Sequence, residues 1–170
     1  NDINCIMTGD HISSSDRLAE ACKYVECDVV VNIQGDEPLI DPITIDNVAL
    51  FLSNNDFDIV VPYIKINGGE DINRVKIVSS NNKIIYMSRK NIPYAFTKKT
   101  QYKKHLSVIG FKVSALDSFA NSSPTKLEEI EGIELLRAIE IGLKLGTFEE
   151  HGDSTSVDTQ LDYEKALRMM

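Results

Sequence analysis

Asp28-Val29-Val30-Val31-Asn32-Ile33-Gln34-Gly35-Asp36-Glu37-Pro38 is the stretch on which the fold turns. Residues 28–33 read as a strand, apolar after Asp28 and broken then only by Asn32, the pattern of an interior parallel strand covered on both faces. A polar loop, Gln34 to Pro38, follows at the strand's carboxyl end, and open α/β sheets bind ligands in the crevice beyond such ends. Gly35 lets backbone approach a ligand closely, and the Asp36 carboxylate beside it can hold Mg2+ through one or two oxygens while phosphate supplies others. The same loop also reads as a polar turn in which Asp36 or Glu37 favours the positive end of the next helix.

Working outward, Asp41-Pro42 supplies an N-cap and an N1 proline for a helix reaching Leu52. Upstream, Ser13, Ser14 and Ser15 offer caps for a helix over 16–25 with an apolar stripe of Leu18, Ala21, Cys22 and Val25, and residues 4–7 read as a strand remnant. Downstream, 59–64 reads as a strand, and 75–78 pairs with 83–87 as a hairpin across Ser79-Ser80-Asn81-Asn82. Residues 90–104 lack a clean period and are expected to form a mobile excursion before a strand over 105–113. A helical stretch follows over 124–144, weakened at Gly132, then a strand near 147–150, a small-residue loop over 152–156 and a terminal helix. Strand and helix patterns alternate, so the expected fold is one α/β domain over 1–170, with a mostly parallel sheet, helices on both faces and one antiparallel hairpin excursion.

Composition narrows the function. The formal charge of -8 argues against nucleic acid and anionic membranes as partners, since the one basic cluster is Lys98, Lys99, Lys103 and Lys104, most simply a solvated loop. Cys5, Cys22 and Cys27 have neither the even count of a disulfide framework nor a zinc spacing, which fits a reducing cytoplasm. The apolar runs are too short to span a bilayer. The chain opens at Asn1 without an initiator Met, as a truncated or processed chain would.

Val157-Asp158-Thr159 is a second candidate site, a carboxylate before a helix in a loop of small residues. Asp36 and Asp158 could converge on one metal; alternatively Asp158 or Thr159 caps the last helix. On the residues alone, Arg89 reads as a solvated ion-pair residue, His105 as a strand cap and Glu134 as the helical partner of Arg137.

Taken in order, the motifs resemble those of the 3-deoxy-manno-octulosonate cytidylyltransferase (CMP-KDO synthetase) family. The carriers are Met7-Thr8, His11 with Ser13 to Glu20, Val30 to Ile40, Asn73-Arg74-Val75-Lys76, Tyr86 to Arg89, Ile92-Pro93-Tyr94, His105, Glu134 to Arg137 and Ser156 to Thr159. The resemblance implies a Rossmann-like nucleotidyltransferase fold and a homodimer working in cell-surface polysaccharide precursor synthesis. Its implied reaction is attack of an acidic sugar's anomeric hydroxyl on the α-phosphate of CTP, expelling pyrophosphate, with Mg2+ held by Asp36 and Asp158. It assigns Thr8, Ser13, Ser14, Ser15 and Gln34 to the nucleotide and Arg89, His105 and Glu134 to the sugar acid. Charge neutralisation by a metal between carboxylates and phosphates suits such chemistry.

The chain departs from that pattern in places. The family's opening strand and basic phosphate loop have no equivalent before Asn1, so the chain alone is expected to be inactive. Ser13-Ser14-Ser15 replaces Ser-Gly-Thr, Ile109 and Leu135 stand where the family has tyrosine and glutamine, and Ser156 stands for glycine. A sugar hydroxyl facing Ile109 or Leu135 would lose a partner, so the substrate is expected to be 3-deoxy-octulosonate or an altered relative. The rival readings are a cytidylyltransferase for another acidic sugar, a metal-dependent glycosyltransferase and a non-catalytic partner subunit of nucleotide fold.

Overall fold

In the computed structural model, which describes residues 4–69, 71–152, 156–157 and 159–169, residues 29–33 become strand β1 (Val29–Ile33) with the polar loop at its carboxyl end. Asp41 caps helix α2 (Pro42–Asn54), its carboxylate accepting from the Ile43 N–H at 2.9 Å, with proline in the first turn where a missing N–H costs nothing. Upstream, the Ser13 hydroxyl caps α1 (Ser14–Cys22) by accepting from the Asp16 N–H at 3.1 Å.

The remaining strands are β2 (Ile59–Val60), β3 (Tyr63–Ile66), β4 (Lys76–Ser80), β5 (Lys83–Ser88), β6 (Tyr102–His105), β7 (Val108–Lys112) and β8 (Leu145–Gly146). They join β1 in one eight-stranded sheet of order β1-β7-β2-β8-β5-β4-β6-β3. Helices α3 (Val113–Ala120), α4 (Lys126–Glu131), α5 (Leu135–Glu140) and α6 (Gln160–Met169) complete the elements. None of the described helices is long and apolar enough to cross a membrane.

The α/β architecture is as expected, but the sheet is not mostly parallel. Among the described residues β2–β8 is the one parallel ladder, with an isolated parallel bridge between Tyr63 and Glu149. The cause is β7, which pairs antiparallel with both β1 and β2. β1, β2 and β8 therefore share one direction, yet β1 is separated from β2 by a strand running the other way. β1 is consequently an outer strand of the described sheet rather than an interior one, and most of its residues are half-buried although α1 and α2 lie on its two faces. Residues 4–7 form no strand: no described strand runs beside them to supply a ladder, and Ile6 and Met7 are exposed.

The β4–β5 hairpin forms as expected, closed by Asn81 and Asn82 at φ 48° and 61°, the two positive values that a type I′ turn requires. The predicted excursion is irregular through residue 101, but its last part is β6, which pairs with both β4 and β3. Lys103 and Lys104 thus lie in the sheet rather than in a solvated loop. The Lys103 ammonium donates to Ser79 Oγ at 2.6 Å and sits 4.6 Å from the Tyr63 ring centroid. Gly132, at φ 61°, ends α4 and separates it from α5, dividing the predicted helical stretch.

Successive residues of β7 face opposite sides of the sheet. Ile109 and Phe111 enter a core with Ala19 of α1, Leu116 and Phe119 of α3, and Leu136 of α5. Gly110 faces α2, where a Cβ would stand 2.7 Å from Val48 Cγ1. Helices therefore cover both faces. Gly110→Ala should push α2 off the sheet and cost about 1–3 kcal/mol, read as a lower urea midpoint; an unchanged midpoint would show that α2 is not seated so closely.

Candidate functional site

Capping by Ser13 leaves Ser14 and Ser15 in the first turn of α1, pointing at the residue that begins α5. Ser14 Oγ and Ser15 Oγ donate to Glu134 Oε1 at 3.3 and 3.0 Å. Ser14 Oγ in turn accepts from Asn32 Nδ2 at 3.3 Å and Gln34 Nε2 at 3.2 Å. One hydrogen-bond network thus spans the start of α1, the end of β1 and the start of α5. Ser15 is fully buried within it. Both serine bonds fall on Oε1, and Glu134 Oε2 has no hydrogen-bond partner among the described residues.

Beside this network lies a cavity of about 250 Å3. Its polar wall is Gln34, Asp36, His105, Ser107 and Glu134, and its apolar wall includes Val75, Met87, Ile109 and Leu135. Residues assigned from the sequence to nucleotide, metal and sugar therefore line one hollow. The Ile109 and Leu135 side chains, singled out as departures, also face it.

His105 ends β6, its N–H donating to the Val75 carbonyl at 2.9 Å. Burial of the ring, reinforced by the charge of neighbouring Lys104, pushes its imidazole down to about 4. Its ring nitrogens make no hydrogen bond among the described residues, so at neutral pH it offers the cavity an uncharged donor and acceptor.

Asp36 is exposed, and its carboxylate has neither a hydrogen bond nor an ion pair among the described residues. A free, hard anionic oxygen at the rim fits Mg2+, which takes one or two carboxylates and completes its shell from phosphate and water. Among the described residues no group of three or more His, Cys, Asp or Glu could form an all-protein metal cage. Asp158 lies outside the described residues. Its neighbour Val157 donates its N–H to the Asp36 carbonyl at 2.8 Å.

The other predicted residues support the cavity from outside. The Arg89 guanidinium donates to the carbonyls of Ile72, Glu131 and Gly132 at 3.0, 2.9 and 2.8 Å, fixing the turn that forms one wall. Thr8 Oγ1 accepts from Arg17 at 2.7 Å, and Ser13 is the helix cap.

Sequence reasoning missed the support behind α1. Arg137, 1% exposed, holds Glu128 through two hydrogen bonds of 2.8 and 2.6 Å, reaches Asp16 at 3.2 Å and lies over the Phe119 ring at 4.1 Å. Nothing local distinguished it from a helical partner of Glu134. Asn32 did carry a signal, as the polar break in an apolar strand.

The chain belongs to the cytidylyltransferase family, whose profile matches residues 2–145. It is 39% identical over 166 residues to the 3-deoxy-manno-octulosonate cytidylyltransferase of Leptospira interrogans (serovar Lai), covering 94% of this chain and 67% of that protein. The enzyme of the same name from Rickettsia felis is 35% identical over 163 residues, at 92% and 65% coverage. The chain thus spans about two thirds of the length of these relatives. Among solved structures, CMP:2-keto-3-deoxy-manno-octonic acid synthetase complexed with CTP superposes at a TM-score of 0.87 with 28% identity, over 94% of this chain and 68% of that one. A putative glucose-1-phosphate thymidylyltransferase from Bacillus anthracis, 16% identical at TM-score 0.63 over 92% of this chain and 60% of that one, shares the fold.

The depressed imidazole makes stability depend on pH. Between the ordinary value of 6.5 and about 4, the unfolded chain binds a proton at His105 that the folded protein does not. Stability is therefore present above 6.5 and lost as pH falls. From pH 7 to pH 5 the native protein should lose roughly 1–2 kcal/mol more than His105→Gln in urea denaturation; equal losses would place the ring in water.

Proposed function

We propose that the protein transfers CMP from CTP to 3-deoxy-manno-octulosonate or a close acidic relative, releasing pyrophosphate. The observation that carries this reading is the single cavity lined by Gln34, Asp36, His105 and Glu134, with Ser14 and Ser15 hydrogen-bonded behind it. The relatives' identity as 3-deoxy-manno-octulosonate cytidylyltransferases and the CTP held by the solved neighbour support it.

In this reading Gln34 and the serine cluster orient the nucleotide. Glu134 Oε2 and neutral His105 accept and donate hydrogen bonds to the sugar's hydroxyls, so that the anomeric oxygen meets the α-phosphate. Such transfer is catalysed chiefly by positioning and by compensating charge. Asp36, with Asp158, would hold Mg2+, which when bound neutralises the triphosphate. The same proposal includes a homodimer in the cytoplasm supplying a cell-surface polysaccharide precursor; the free thiols of Cys22 and Cys27 are consistent with a reducing compartment.

A specific observation favours an altered sugar acid. Ile109 and Leu135, 4% and 2% exposed, present hydrocarbon where a hydroxyl would need a partner. A substrate with a hydroxyl removed or replaced at that position avoids an unsatisfied group worth about 1–3 kcal/mol.

Two measurements test the reading. In a protein that carries the basic phosphate loop as well, pyrophosphate release should require CTP, a divalent metal and the sugar acid together, and Asp36→Asn should reduce it about a hundredfold, as loss of several kcal/mol of charge stabilisation demands. Turnover within about twofold of native in that variant would remove Asp36 from the mechanism. Leu135→Gln should raise preference for the fully hydroxylated sugar acid over its deoxy relative about tenfold; an unchanged ranking would mean that Leu135 does not meet the sugar.

A further inference from the structure

We infer that Ser156 and Glu37 form a latch that positions Asp36 for a divalent cation, an inference that rests on the metal role proposed for Asp36. Ser156 Oγ donates to Glu37 Oε1 at 2.9 Å, across 119 residues of sequence. The next residue, Val157, donates its N–H to the carbonyl of Asp36 at 2.8 Å. Two consecutive residues of one loop thus hold two consecutive residues of the other, the arrangement that fixes both translation and twist between them.

Glu37 is 5% exposed, and its Oε2 is buried without a hydrogen-bond partner among the described residues. A buried carboxylate with so few donors depends on the one it has, since hydrogen bonds to charged groups are stronger than neutral ones and their loss exposes the desolvation cost of the group. Glu37 is also the pivot of its own loop: its N–H donates to the Gln34 carbonyl at 3.2 Å, and its carbonyl accepts from Ile40 at 3.3 Å. Removing the Ser156 hydroxyl therefore frees Glu37 to turn toward water and carries the Gln34–Ile40 turn, with Asp36 on it, away from the 156–157 segment. Ser156 and Glu37 touch no reacting atom in this scheme. They are positioning residues, acting through Asp36 as outer-shell partners act on metal ligands.

The test uses Mn2+ as the probe, titrated by electron paramagnetic resonance with CTP present, together with hydrogen exchange at the Val157 amide in metal-free protein. Ser156→Ala should weaken Mn2+ binding about tenfold and speed Val157 exchange. Ser156→Thr, which keeps the hydroxyl, should restore both. Native Mn2+ affinity and native exchange in Ser156→Ala would overturn the latch while leaving Asp36 as a ligand, provided Asp36→Asn loses Mn2+. Asp36→Asn binding Mn2+ as the native protein does, or a native protein that binds none, would overturn the metal role and the latch with it. Faster Val157 exchange with unchanged Mn2+ affinity would show a loop contact without influence on the metal, and would also sink the proposal.

Discussion

Arg137 is the constraint on which the site depends. Its guanidinium, 1% exposed, joins α5 to Glu128 of α4 and to Asp16 of α1, the latter 121 residues away in sequence. Hydrogen bonding to Glu128, with the charges of Glu128 and Asp16, raises its pKa and holds its proton more firmly than usual, despite burial. A buried cation of this kind is weak evidence for net stability but strong evidence for specification. Removing one partner leaves an uncompensated buried charge at a cost of about 3–5 kcal/mol, so the three elements have one low-energy arrangement. Asp16 also accepts from the Ser13 cap at 2.8 Å, which carries the constraint to the start of α1.

From that arrangement the rest of the site follows. With α1 and α5 fixed, Ser14 and Ser15 meet Glu134, and Gln34 and Asn32 reach Ser14 from the end of β1. The cavity is then closed by the β6–β7 corner, which brings His105 and Ile109, and by the Gly132 turn, which Arg89 holds by its carbonyls. Gln34 and Glu134, which the proposed function assigns to the nucleotide and the sugar, are thereby members of one hydrogen-bond network. Polar groups gather on one wall and hydrocarbon on the other, as small-molecule sites generally arrange them.

Much of this was legible in the sequence where the signal is local. The Asp41-Pro42 cap, the Asn81-Asn82 turn and the Gly132 break each rest on the backbone chemistry of one or two residues, and each appears where expected. The polar loop after β1 was legible because a buried strand must end in something that can leave the sheet. What was not legible is pairing. An apolar run shows that a strand is covered but not which strand lies beside it, so the insertion of antiparallel β7 between β1 and β2, and the place of β1 at the border of the described sheet, had no local signature. β6 was hidden for a different reason: Tyr102-Lys103-Lys104-His105 looks solvated, yet long lysine stems lie along a sheet while their ammonium groups reach a ring or a hydroxyl. Arg89 looked like a ligand clamp because free carbonyls at a helix end are invisible in sequence.

In the proposed function one hollow, between the Gln34–Asp36 loop, His105 and Glu134, would receive the sugar acid beside the nucleotide. Methyl-labelled protein titrated with 3-deoxy-manno-octulosonate in the presence of CTP tests it most directly, because Ile109 and Leu135 each place methyl groups in that wall. Saturable shifts of the Ile109 and Leu135 methyl resonances are expected, with the exposed Leu50 methyls of α2 unmoved. Saturable binding that leaves Ile109 and Leu135 unshifted would contradict it.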